Sequence, residues 1–160
     1  MKAPTTAVGS QHWLFKSEPT EFSIDDLQRV GREAWTGVRN YQARNYMRDA
    51  MQLGDLAFFY HSNCAVPGIV GIGRISRKAS ADPTQFDPDS AYYDPKSQPD
   101  HPRWQCVQLG FERKLKRCIS LHEISQKAAA LGNLALLQRG NRLSILPVTA
   151  PQWNFILSLE

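Results

Sequence analysis

Leu56-Ala57-Phe58-Phe59-Tyr60-His61, followed after Pro67 by Gly68-Ile69-Val70-Gly71-Ile72-Gly73-Arg74-Ile75-Ser76-Arg77, is the stretch that decides the fold. The first run is apolar and aromatic almost throughout, as in a strand buried on both faces. The second carries β-branched Ile69, Val70, Ile72 and Ile75, which suit a pleated strand. Pro67-Gly68 supplies the turn between them. The three glycines lie inside a strand rather than between a strand and a helix. They therefore mark sheet curvature or close backbone contact, not a phosphate-cradling loop.

Outward from this pair, strands and helices intersperse without regular βαβ alternation. His12 to Lys16 reads as a short apolar strand that Pro19 brings to an end. Ser23 with Asp26 is a capping-box pattern opening a helix from Ile24 to about Val30, which Gly31 stops. Tyr41 to Met51 has helical spacing. Ala81 to Pro102 is a long loop carrying Pro83, Pro88, Pro95, Pro99 and Pro102. A loop of that length inside a compact domain is usually functional or mobile. Trp104 to Lys116 alternates as a long strand. Ser120 with Glu123 opens a helix to about Leu131, Asn133 to Gln138 forms a short helix, and Arg142 to Leu146 a strand. Thr149 with Gln152 caps a last helix ending at Leu159. The expectation is an α+β domain over 12–160, with a curved, mostly antiparallel sheet flanked by short helices. Residues 1–11, rich in small and polar side chains, are expected to form a disordered tail.

At 160 residues the chain is long enough for one well-packed domain. A hydrophobic fraction of 42% with 21% charged residues excludes a disordered protein. Net charge is +4 and the sequence pI about 9.1, a mild bias toward polyanions. Cys64, Cys106 and Cys118 are widely spaced, without a Cys-x-x-Cys pair, so neither a disulfide framework nor a zinc knuckle is suggested. No leader-like apolar segment or membrane-length run is present. A soluble, cytoplasmic, monomeric protein without metal or cofactor is expected.

Trp35-Thr36-Gly37-Val38-Arg39-Asn40-Tyr41-Gln42-Ala43-Arg44-Asn45 concentrates the chemistry. It combines aromatic rings, guanidinium groups and amides around one glycine. A stacking surface, edge-reading hydrogen bonds and phosphate-pairing cations are what a pocket for a flipped base needs. A polar loop with one anchoring Trp would have the same composition.

Several long motifs resemble the EVE domain family, a branch of the PUA-like superfamily. They are Trp13-Leu14-Phe15-Lys16-Ser17-Glu18-Pro19, Phe22-Ser23-Ile24-Asp25-Asp26-Leu27, Gly37 to Asn45, and Gly54-Asp55-Leu56-Ala57-Phe58-Phe59-Tyr60-His61-Ser62. Further along come Pro67 to Gly71, Tyr92-Tyr93-Asp94-Pro95-Lys96-Ser97, Pro102-Arg103-Trp104 and Leu143-Ser144-Ile145-Leu146-Pro147-Val148. The likeness spans residues 12 to 159, and Cys118 stands where the family pattern has proline. It implies a PUA-like β-barrel or curled sheet. It also implies a reader of modified bases, chiefly modified cytosine in DNA, related to the YTH readers of methylated adenosine. A nuclease or another defence protein is an implied partner.

On this reading Trp35 stacks on the base and Trp104 is a second wall. The alternative for Trp35 is a core anchor, and Trp104, opening a strand beside Pro102, can equally be a packing residue. Asn40, favoured over Gln42 because Gln42 begins a helix, reads the base edge, Ser17 presents its backbone or hydroxyl, and Glu18 accepts from an exocyclic amine. Lys16, Val38, Tyr41, Tyr60, His61 and Ser62 complete the base-binding set, with Arg39, Arg44 and Arg103 on phosphates. By the period of two, Tyr60 and His61 face opposite ways. A turn with a local ion pair would also explain Lys16-Ser17-Glu18. No His-x-Glu with a Pro-Cys-x-x-Cys partner exists, which excludes a zinc deaminase, and no Gly-x-Ser-x-Gly elbow is present. The expected role is a non-catalytic nucleic-acid-binding module. The rivals are an RNA-binding accessory protein and a small PUA-like nuclease, for which Asp94 and Lys96 are the available groups.

Overall fold

The computed structural model describes residues 11–160, and the expected tail, apart from Gln11, lies outside them. In chain order come β1 (His12–Ser17), α1 (Ile24–Val30), β2 (Arg32–Ala34) and α2 (Tyr41–Asn45), which runs on as a π-helical turn, Tyr46–Ala50. Then follow β3 (Leu56–His61), β4 (Gly68–Ala81), a 3₁₀ turn at Pro83–Phe86 and β5 (Gln105–Ser120). The chain closes with α3 (Leu121–Gln126), α4 (Ala128–Leu131), a 3₁₀ turn at Ala135–Leu137, β6 (Ile145–Val148) and α5 (Ala150–Ser158).

The strands form one open six-stranded sheet in the order β2-β5-β4-β3-β1-β6. Only β1 with β3 is parallel, and the connection between them carries α1, β2 and α2. All other pairings are antiparallel. The sheet is curved rather than closed into a barrel. Its bend is concentrated in the β4–β5 ladder, where the register shifts at four places, two of them beside Gly71 and Gly73. A Cβ on Gly71 would lie 2.5 Å from the Ile24 Cδ1, so the glycine lets α1 press directly on the sheet.

The period of two divides the aromatic strands into two cores. Trp13, Phe15, Ala57 and Phe59 face α1, α2 and the π-helical turn, packing with Leu27, Met47 and Met51. Leu14, Phe58 and Tyr60 face the other way, against Ile124, Trp153 and Ile156 of α3 and α5. A capping box opens α1: the Ser23 hydroxyl accepts from the Asp26 N–H, and the Asp26 carboxylate accepts from the Ser23 N–H. The Asp55 carboxylate, 5% exposed, is satisfied within the first core by the Trp13 indole N–H at 3.0 Å and the Gln52 N–H at 2.9 Å.

Several sequence expectations are corrected. The helix expected over Ser120 to Leu131 breaks at Lys127 into α3 and α4. The last strand begins three residues later than expected, at Ile145, and includes Pro147, which an edge strand tolerates. The long loop contains the turn at Pro83–Phe86, and β2 was not anticipated.

Candidate nucleic-acid interface

An open cleft of about 470 Å³ lies on the α1 side of the sheet, where β1 ends and β2 meets the loop after it. β2 is short, and β5 holds it: Glu33 sits opposite Leu109, and just beyond β2 the Trp35 N–H donates to the Val107 carbonyl at 2.8 Å. That anchorage aims Trp35 into the cleft. Its ring meets Phe15, Phe22 and Phe59 near perpendicular, with centroids 5.3, 6.1 and 5.8 Å away. Trp35 is only half-buried, so it serves both as a core lid and as cleft wall.

The β1 end supplies the opposite side. Ser17 donates its hydroxyl to the Phe22 carbonyl, and the Phe22 N–H donates back to the Glu18 carbonyl at 2.9 Å. This turn holds Phe22 against Trp35 and leaves the Lys16, Glu18 and Glu21 side chains on the cleft. Among the described residues, no ion pair or side-chain hydrogen bond engages Lys16, Glu18, Glu21 or Glu33. Burial lowers the Lys16 pKa, as expected for an ammonium shielded from water and not paired with a carboxylate.

A fixed polar cluster builds the third side. Asp82 is fully buried and accepts from the Gly37 N–H at 2.8 Å, from Arg39 at 3.1 Å and from both the N–H and hydroxyl of Thr84. Burial alone would raise its pKa. The hydrogen bonds from Thr84, Gly37 and Arg39 outweigh that and leave it lowered. Gly37 has φ +88°, and a Cβ there would lie 2.8 Å from the Tyr92 ring. Only glycine permits both the turn and the close approach of Tyr92, which overhangs the cleft. Gln85, buried beneath this loop, donates to the Asp82 and Trp104 carbonyls and accepts from Ser97 and the Trp104 N–H.

Of the residues singled out in the sequence, the cleft brings together Lys16, Ser17, Glu18, Trp35, Val38 and Arg39. The others lie elsewhere, each for an identifiable reason. Asn40 is the N-cap of α2, its side-chain oxygen accepting from the Ala43 N–H at 3.0 Å, so it does not read an edge in this cleft. Tyr41 is exposed and stacks on Trp104 at 4.7 Å. Trp104 is buried and its indole N–H donates to Asp94 at 2.8 Å, a packing role rather than a second wall. Tyr60 faces the second core, where burial raises its pKa to about 12. His61 shares the Phe59 face but uses Nε2 to accept from the Ile24 N–H at 3.1 Å. Ser62 donates its N–H to the Ser17 carbonyl.

The cations expected on phosphates are also occupied. Arg39 spreads its guanidinium over Asp82, Thr84 and the Val38 and Tyr92 carbonyls. Arg44 donates to Asn45 and the Arg103 carbonyl, and Arg103 lies 3.7 Å from Asp94. Glu21, Phe22, Glu33, Tyr92 and Ser144 line the cleft without having been assigned a role in the sequence. The paired tyrosines in a Pro- and Asp-rich loop were the available signal for Tyr92.

A family model described as the EVE domain matches residues 11–159. Human thymocyte nuclear protein 1 is 46% identical, over 94% of this chain and 74% of that protein. Among solved structures, human THYN1 in complex with 5-methylcytosine containing DNA is 45% identical with a TM-score of 0.89, covering 94% of this chain and 97% of that one. A protein from Pseudomonas syringae is 51% identical with a TM-score of 0.88, covering 92% of this chain and 98% of that one.

Proposed function

We propose, since this chain belongs to the EVE domain family, that its cleft captures one modified cytosine turned out of a DNA duplex, with 5-methylcytosine the first base to test. The observation that carries the reading is a partly exposed Trp35 beside polar side chains that are unpaired among the described residues, in a cleft large enough for a base. Trp35 would stack on the ring, worth about 1–3 kcal/mol. Glu18 would accept from the exocyclic amine, as carboxylates do from cytosine N4. Lys16 or the Ser17 hydroxyl would donate to the cytosine acceptors. Phe22 and Val38 offer the apolar surface for a methyl group. Burying one methyl is worth about 0.8 kcal/mol, roughly a fourfold preference, so discrimination beyond that requires a fitted contact.

The role is binding rather than catalysis. In support, the Asp94 side chain accepts from the Trp104 indole and the Lys96 N–H, and so organises the loop. No group of three or more His, Cys, Asp or Glu that could hold a metal occurs among the described residues. No helix there is long and apolar enough to cross a membrane. The human relative is named a nuclear protein, and the reading requires only that the chain reach DNA, alone or beside a nuclease partner.

Equilibrium binding to short duplexes carrying one 5-methylcytosine, one cytosine or one methylated adenine, and to the corresponding RNA strands, tests this. The 5-methylcytosine duplex should bind most tightly. Equal affinity for all would overturn the reading, tighter binding to RNA would move the partner, and stoichiometric cleavage with divalent metal would make the protein a nuclease.

A further inference from the structure

A second groove, about 440 Å³, adjoins the cleft and is lined by Asn40, Gln42, Arg139, Asn141, Arg142 and Leu143. The two share a border: Arg39 and Ser144 line the cleft, while their chain neighbours Asn40 and Leu143 line the groove. The groove's cations differ from those considered above and from the paired cations elsewhere on the surface. Arg39 and Arg103 are paired to Asp82 and Asp94, and Arg48, Arg113 and Lys114 to Asp49, Glu160 and Asp25. Arg139 and Arg142 are exposed and make no ion pair or side-chain hydrogen bond among the described residues.

Their loop is nevertheless held in place. The Asn141 amide donates to the Ala135 carbonyl at 3.0 Å, and its oxygen accepts from the Leu143 N–H at 2.9 Å. Leu143 packs against both cores, and the Ser144 carbonyl accepts from the Lys16 N–H at 2.8 Å. Two free guanidinium groups therefore stand on a stapled loop. Arg142 is two residues from a cleft-lining serine, a chain reach of roughly 7 Å at most.

We propose that this groove carries the sugar–phosphate backbone beside the captured nucleotide, with Arg139 and Arg142 pairing to its phosphates. The inference rests on base capture in the cleft. It assigns affinity to one loop and base identity to the other side of the site, as phosphate contacts position and base contacts specify. Guanidinium groups suit phosphate because they pair with it bidentately.

The test is the salt dependence of binding, measured by fluorescence anisotropy on a duplex carrying one 5-methylcytosine and on its unmodified counterpart. Arg139→Ala and Arg142→Ala should each reduce the slope of log affinity against log salt by about 0.9, on both duplexes alike, leaving their affinity ratio unchanged. Lys116→Ala, on β5 and four strand positions from β6, whose ammonium makes no ion pair or side-chain hydrogen bond among the described residues, should leave the slope unaltered. An unchanged slope in the double arginine variant would overturn the proposal, as would an equal drop in Lys116→Ala. Equal affinity of the unaltered protein for the two duplexes is instead the failure of base capture, and the slope reads independently of it.

Discussion

The two faces of the sheet are built from the same strands, and each has a tryptophan at its centre. On the α5 side, Trp153 lies stacked on Phe58 with centroids 3.8 Å apart and is 4% exposed. On the α1 side, Trp35 is met by three rings near perpendicular and remains half-open to a cleft. One tryptophan spends its faces on packing. The other is held firmly but left partly unoccupied, with unpaired charged side chains around it. What separates a core aromatic from a site aromatic here is the surrounding polar inventory rather than the residue type.

The sharpest way to break that contrast is to truncate both rings. Trp153→Ala should cost about 3–5 kcal/mol of stability, because a fully packed aromatic leaves a cavity. The fraction that stays folded should bind DNA as before, measured by denaturant titration alongside binding. Affinity lost at full folding would mean that the α5 face also touches the partner. Arg39→Ala comes next. It removes hydrogen bonds to the buried Asp82 carboxylate and to the Tyr92 carbonyl, and should cost about 2 kcal/mol of stability. Its salt slope should stay unchanged, because the guanidinium is already occupied. A slope reduced by about 1, with stability intact, would restore Arg39 as a phosphate contact.

Trp35→Ala should weaken binding to the modified duplex by about 1–3 kcal/mol, with a smaller loss of stability than Trp153→Ala. Calorimetric melting and duplex titration on one preparation separate the two. A large melting loss with unaltered binding of the folded protein would make Trp35 a purely structural residue.

Which parts of this were legible in the chain follows from how local their causes are. The bounds of α1 follow from a capping box and a stop glycine within ten residues, and β3 from its unbroken apolar run. β2 is Arg-Glu-Ala, with no strand pattern of its own, and exists because β5 offers it a ladder. β5 itself runs to Ser120 through the charged stretch 112–117, which reads locally as surface. In the site, Trp35 and Lys16-Ser17-Glu18 were visible because stacking and polar chemistry interrupt apolar patterns there. Asn40 caps α2 and lines the adjoining groove rather than the cleft, and helix capping is as strong a reason for asparagine there as base reading. Tyr92 depends on Gln85 folding a loop from beneath, which no local pattern encodes.

The smallest effect concerns what holds the cleft's α1 side in place. His61 Nε2 accepts from the Ile24 N–H at the start of α1, so it must be unprotonated to do so. Burial lowers its pKa from the ordinary 6.5, opposed by the nearby Asp25 carboxylate. Its contribution to stability is therefore fully present above about pH 6.5. As pH falls through that value the unfolded chain takes up a proton that the folded chain resists, and stability declines until the lowered folded pKa is passed. His12, also lowered by burial, acts in the same direction, so the unaltered protein carries both contributions. His61→Gln keeps an acceptor for the Ile24 N–H but cannot titrate. Its melting temperature should fall less than that of the unaltered protein between about pH 7.5 and pH 5.5. Identical falls in the two proteins would show that α1 is held by its packing alone, through Ile24 and Leu27, and not by the histidine.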